Sequence, residues 1–133
     1  MIETFTFCSD TPCQIHMLVT RTAQGVIVQM LGGDEPHIGA TVISHPRPSL
    51  ADQTLTSCNS IVIPELGHKE DELAKPLAEK IATTLNCPVV FVAGIHVHNA
   101  CPATISRIIQ SCQRLVDEFL ASVKTGNRTE SNK

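Results

Sequence analysis

The first half of the chain alternates between hydrophobic and polar residues in short runs, and turn-forming residues separate the runs. Five stretches have this character: residues 2–7, 14–21, 25–31, 41–44 and 54–63. Asp10-Thr11-Pro12 ends the first run, and the short loop 22–24 is typical of a β-hairpin. Because consecutive strands usually pair, the spacing predicts five strands in an antiparallel meander.

The hydrophobic spacing changes to a helical period in the second half. From Leu73 to Leu85 every fourth residue is hydrophobic, which predicts a helix with one buried stripe. Pro76 lies inside this pattern and predicts either a kink or a separate turn over residues 69–73. Residues 89–93 are all hydrophobic, as in a central strand. A broad hydrophobic stripe from Pro102 to Val123 predicts a second, longer helix.

These elements predict an α+β fold, with a mostly antiparallel sheet of about six strands and two helices on one face. We expect a single domain over residues 1–124 and a flexible C-terminal tail over residues 125–133, where periodicity is lost. Residues 26–28 and 61–63 are hydrophobic on both faces of their strands, and two helices cover only one face. A second copy of the chain is therefore expected on the other face, as a homodimer.

Composition excludes several classes of partner. The formal net charge is −3 and no block of Lys or Arg is present, which argues against nucleic acid. The longest hydrophobic stretch, residues 89–95, is too short to span a membrane, and the first residues do not form a secretory signal.

The six cysteines include no Cys-x-x-Cys pair. We therefore expect a cytoplasmic protein with reduced cysteines, of which Cys101 merits a test of reactivity.

Three glycine-flanked histidine clusters stand at the ends of predicted elements: the first cluster (residues 32–39), the second cluster (residues 67–71) and the third cluster (residues 94–99). Binding groups often gather at such positions. Glycine there permits a positive φ or a close approach of backbone to a ligand. The clusters indicate a binding site, although each one has a simpler structural interpretation.

The first cluster combines Gly32, Gly33, Ile38 and Gly39 with His37, and its backbone N–H groups could receive an anion. The simpler interpretation is a glycine-rich hairpin with a surface histidine.

In the second cluster, His68 and Lys69 precede a predicted helix, where free N–H groups and an ammonium favour a phosphate or carboxylate. Acidic residues follow at 70–72, however, and these also suit ordinary capping of a helix.

The third cluster places His96 and His98 two residues apart at a strand end, so their side chains share a face. Such a pair can bind zinc or copper, and His37 or His68 could complete the site, although no obvious carboxylate accompanies the rings. This alternative corresponds to a metal-dependent enzyme. Asn99 either caps the next turn or points its amide into the site. No Gly-x-Ser-x-Gly motif or pair of catalytic carboxylates indicates an independent catalyst.

Taken together, Gly-Gly-Asp-Glu-Pro-His-Ile-Gly, Gly-His-Lys-Glu-Asp and Gly-Ile-His-Val-His-Asn-Ala resemble the small D subunits that accompany UbiD-type aromatic-acid decarboxylases such as gallate decarboxylase. The resemblance covers about residues 25–120. It implies a non-enzymatic, dimeric chaperone that binds reduced prenylated flavin mononucleotide (FMN) and helps to load it into the decarboxylase. It also implies a fold like that of the proteasome assembly chaperone subunits.

The resemblance carries over to individual residues of each cluster. The matching positions are Gly33, His37, Ile38 and Gly39, then His68 and Lys69, then Gly94, Ile95, His96 and Asn99. His98 falls outside the shared signature, and Pro76 interrupts a helix that we would expect to be regular. From the residues alone, the expectation is a small anionic ligand; the flavin is what the resemblance implies.

Overall fold

The computed structural model describes residues 1–65 and 71–131. It contains six strands and two helices within these ranges: β1 (Ile2–Ser9), β2 (Ile15–Thr22), β3 (Gly25–Gly33), β4 (Ala40–Pro48), β5 (Thr56–Pro64), α1 (Asp71–Leu85), β6 (Val89–His96) and α2 (Pro102–Ser131). The predicted α+β class is confirmed. No helix in the described part of the chain is long and apolar enough to cross a membrane.

The strands form one sheet in the order β1-β2-β3-β6-β4-β5. The first three strands are the expected meander, but β6 lies between β3 and β4, parallel to β3 and antiparallel to β4. The five-strand meander was therefore wrong in placing β4 beside β3, whereas its antiparallel pairing of β4 with β5 is confirmed. The physical reason is that Val89, Phe91 and Ala93 of β6 are fully buried, and a central position gives this strand neighbours on both sides.

One face of the sheet forms the hydrophobic core. The register aligns Val19, Val28, Phe91 and Val42 across four neighbouring strands, and all four are buried. The hydrophobic stripes of both helices pack in the same core cluster as these strand residues. The opposite face of the sheet has no helix from the described chain.

The two helices differ from their predicted forms in detail. Helix α1 is continuous from Asp71 to Leu85 and includes Pro76. The proline lies on the exposed side of the helix. Helix α2 is anchored to β1 by edge contacts of Phe119 with Phe5, at a ring-centre distance of 5.3 Å. Helix α2 also continues to Ser131, so the polar segment after Lys124 is helical. The flexibility of that segment remains a prediction.

Candidate functional site

The first and third clusters meet where β3 and β6 end. These strands are parallel, and their register places Gly33 beside His96. The loop that follows β3 then turns back along the end of β6. Parallel pairing of the two strands thus explains how histidines that are far apart in sequence share one site.

Close packing of backbone on backbone explains three glycines of these clusters. A Cβ atom at Gly94 would overlap the carbonyl oxygen of His37, and one at Gly33 would overlap that of His96. Gly33 also has a φ of 81°, in the region that glycine adopts readily. Gly32 is equally restricted, because a Cβ there would overlap the carbonyl of Gln14. In this structure the glycines allow the loop to approach β6 and β2.

Backbone hydrogen bonds hold the loop in place. The Asp34 amide donates to the His96 carbonyl at 2.6 Å, and the Gly39 amide donates to the Ala93 carbonyl at 2.9 Å. The Glu65 amide in turn donates to the Gly39 carbonyl at 2.7 Å, which brings the end of β5 to the same place. The positions of the loop side chains therefore follow from the ends of three strands.

A pocket of about 310 Å³ opens at this junction, and its lining residues are Glu35, His37, Ile38, Glu65 and His96. The His37 and His96 rings are 6.3 Å apart, edge to face. His37 Nδ1 lies 2.9 Å from the carbonyl oxygen of Glu35, and because a carbonyl only accepts, Nδ1 carries the proton in this contact. The pocket thus combines two imidazoles, two carboxylates and one exposed aliphatic side chain. None of these described lining residues carries a hydroxyl or a thiol.

A group of three side chains that can act as metal ligands adjoins the pocket. The His96 and His98 rings are 5.2 Å apart, and His98 Nε2 lies 3.6 Å from Glu35 Oε1. Glu35, His96 and His98 are the described residues whose metal-type ligand atoms come within 4.8 Å of one another. Among the described residues, Glu35 therefore groups with His96 and His98, and His37 lies outside this group. The alternative metal set of His37, His68, His96 and His98 stays a prediction, because His68 lies outside the described residues.

The predicted site residues have different positions in the structure. His37, Ile38 and His96 line the pocket, whereas Gly32, Gly33 and Gly39 belong to the backbone that supports it. Asn99 does not line the pocket, and its φ of 55° gives a structural reason for asparagine at the turn before α2. His68 and Lys69 lie outside the described residues.

Sequence reasoning missed two pocket residues, Glu35 and Glu65. Glu35 stands inside the first cluster, two residues before His37, and its position there was the available signal. Glu65 follows the last residue of β5, and its proximity depends on a hydrogen bond to Gly39 that no sequence spacing indicates.

Cys101 adjoins the third cluster at the start of α2 and is exposed. Hydrogen bonds from the Thr104 hydroxyl and backbone amide lower the pKa of the Cys101 thiol from its usual value. The Cys101 Sγ and Thr104 Oγ1 atoms are 3.3 Å apart. In contrast, burial raises the pKa of the Cys112 thiol to about 12.

We expect iodoacetamide at neutral pH to alkylate Cys101 at least about tenfold faster than Cys112, because the thiolate is the nucleophile and a lower pKa increases its fraction. Peptide mapping by mass spectrometry over a time course measures both rates. Thr104→Val removes the hydroxyl at nearly constant volume and should slow the Cys101 reaction by about two- to fivefold. Equal rates of Cys101 alkylation in the wild type and the valine variant would show that the Thr104 hydroxyl does not activate this thiol.

Comparisons with known proteins agree with the fold and the clusters. A chaperone complex for yeast 20S proteasome assembly has a solved chain that superposes with a TM-score of 0.58 at 15% identity, over 93% of this chain and 96% of that chain. This likeness shows the fold. A search of curated protein sequences produced no match. The model of the prenylated flavin chaperone LpdD-like domain matches residues 9–124, which include all three clusters. The chain therefore belongs to the prenylated flavin chaperone LpdD-like family, as its sequence motifs predicted.

Proposed function

We propose that this protein binds reduced prenylated FMN and delivers it to a UbiD-type decarboxylase. The observation that carries the proposal is that His37, Ile38 and His96, from the first and third clusters within the matched residues 9–124, line one pocket. The imidazoles offer donors and acceptors for the polar edge of a flavin, and Ile38 offers apolar contact.

The form of the pocket suits a carrier. Its volume of about 310 Å³ is at the lower end of the range for small-molecule sites, about 300–1,000 Å³. Part of a flavin nucleotide would fit, with the remainder at the open mouth. A ligand that is only partly enclosed can pass to an acceptor protein without unfolding of its carrier, and the described lining residues carry no hydroxyl or thiol that would react with it.

The phosphate of the ligand requires a cationic partner, because Glu35 and Glu65 both contribute negative charge to the pocket. From the family resemblance we assign that role to His68 and Lys69, which lie outside the described residues. Loss of one charged hydrogen bond costs about 1–3 kcal/mol, so Lys69→Ala should reduce affinity measurably.

Anaerobic titration followed by absorbance is expected to show saturable binding of about one reduced prenylated FMN per subunit. His37→Ala should weaken binding by at least about tenfold, the effect of losing one good hydrogen bond to the ligand. His45→Ala is the matched control, because His45 is exposed on β4, outside the pocket lining. Parallel titrations with oxidised prenylated FMN and plain FMN test selectivity for the reduced cofactor.

The delivery step has its own measurement. Apo-decarboxylase of the UbiD type, mixed anaerobically with the loaded protein, should become active faster than with free cofactor at the same concentration. No flavin binding at about 100 μM ligand, an affinity weaker than about −5.5 kcal/mol, would contradict the proposal. Binding without any gain in decarboxylase activation would limit the role to storage of the cofactor.

We further propose that the functional form is a homodimer assembled through the sheet face opposite the helices. The supporting observation is that Leu18, Ile27, Ile61 and Ile63, which belong to three strands, all expose large hydrophobic side chains on that face. Contiguous apolar surface of this kind commonly marks a protein interface.

A further inference from the structure

At the rim of the pocket, Glu35, His96 and His98 bring one carboxylate and two imidazoles together, with ligand atoms all within 4.8 Å of one another. We propose that these three side chains bind one divalent transition-metal ion of the zinc class. The proposal rests on the side-chain geometry and stands whether or not the chain binds a flavin.

The two segments that carry the ligands are tied to each other by backbone hydrogen bonds. The amides of Asp34 and Glu35 both donate to the His96 carbonyl, at 2.6 and 3.4 Å. In return, the His98 amide donates to Asp34 Oδ2 at 2.9 Å. Because these bonds fix residues 34–35 against residues 96–98, the ligand side chains start from a set position. Such support of the backbone lowers the entropic cost of assembling a metal site.

Small side-chain rotations are enough to close the site around an ion. Zinc bonds to nitrogen and oxygen are about 2.0–2.2 Å, so ligand atoms in a tetrahedral site are about 3.3–3.6 Å apart. His98 Nε2 and Glu35 Oε1 are already 3.6 Å apart. Their side chains are 55% and 66% exposed, which leaves them room to rotate. The same exposure predicts moderate, micromolar affinity, since the free side chains lose rotamer freedom on binding.

The donor set selects the kind of ion and leaves a coordination position open. Two imidazoles and a carboxylate suit Zn²⁺ and similar ions, and three protein ligands leave a fourth position for water or an anion. Glu35 and His96 also line the pocket, next to Glu65. A bound cation would therefore offset the negative charge at the pocket mouth. The competing interpretation is an ordinary exposed His98–Glu35 ion pair, which contributes little to stability.

Isothermal titration of protein without a histidine tag tests the proposal, with ZnCl₂ as the probe. We expect about one Zn²⁺ per chain with a micromolar Kd. Glu35→Gln and His98→Gln should each weaken binding by at least about tenfold, since loss of a ligand costs no less than loss of an outer-shell partner. Co²⁺ added to the wild type should produce visible absorption bands that each variant diminishes. Circular dichroism checks that the variants fold. We expect them to fold, because both side chains are exposed.

His16→Gln and His45→Gln are matched controls, because both histidines are exposed on strands outside the cluster. They should bind Zn²⁺ like the wild type. Protons compete with metals for imidazole nitrogens, so affinity should fall as the pH is lowered from neutral. Absence of stoichiometric binding in the wild type would overturn the proposal. So would unchanged binding in Glu35→Gln and His98→Gln, or an equal loss in the two controls.

Discussion

Replacement of Gly94 by alanine is expected to weaken the binding of reduced prenylated FMN by at least about tenfold and to lower the free energy of unfolding by about 1–3 kcal/mol. The added Cβ would overlap the His37 carbonyl oxygen, so the loop must move away from β6. That movement would break the hydrogen bond from the Gly39 amide to the Ala93 carbonyl and displace His37 and Ile38 from the pocket. Anaerobic titration and thermal unfolding measure the two effects.

Gly25→Ala is the matched control, because it makes the same substitution where more space is available. A Cβ at Gly25 would lie 3.1 Å from the Pro88 carbonyl oxygen, so the displacement required is a few tenths of an ångström, much less than at Gly94. Its melting temperature should change by less than that of Gly94→Ala, and its flavin affinity should equal that of the wild type. A Gly94→Ala protein that loses flavin binding at full stability would indicate that Gly94 approaches the ligand and not the His37 backbone.

The sequence predicted most elements because their signals are local. Alternation identified the strands, and the four-residue period identified α1. The insertion of β6 between β3 and β4 was not predictable, because the hydrophobic residues 89–93 indicate a central strand but not its neighbours. The helical continuation of α2 past Lys124 was also missed, since polar residues without periodicity give no helix signal even where backbone hydrogen bonds extend an existing helix.

The candidate site was predictable in part, because its motifs are local in the sequence whereas the contacts between them are not. His37 and His96 were identified as site residues by their motifs, and the structure places both in one pocket. The partnership of Glu35 with His98 depends on the parallel register of β3 and β6, which aligns Gly33 with His96 across many residues of sequence. The histidines of the third cluster have no obvious carboxylate partner in the sequence, because that carboxylate, Glu35, lies in the first cluster.

Replacement of both Ile27 and Ile61 by aspartate is expected to convert the proposed homodimer to monomers. The strand register places Ile27, Val90, Ile43 and Ile61 in one row across four strands of the face opposite the helices. Ile61 is 60% exposed and Ile27 is 49% exposed in the isolated chain, so the monomer can accept both aspartates. In a dimer each new carboxylate would be buried without a partner, which costs about 2–5 kcal/mol. The dimer Kd should therefore rise by at least about 100-fold.

Light scattering at micromolar concentration should report about twice the 14.4 kDa chain mass for the wild type and about one chain mass for the double variant. Leu50→Asp is the control, because Leu50 is 90% exposed in the loop between β4 and β5 and the substitution places one carboxylate outside the row. It should remain dimeric. Circular dichroism should show that all three proteins are folded. A folded wild-type monomer would refute the homodimer, and a double variant that stays dimeric would locate the interface on another surface.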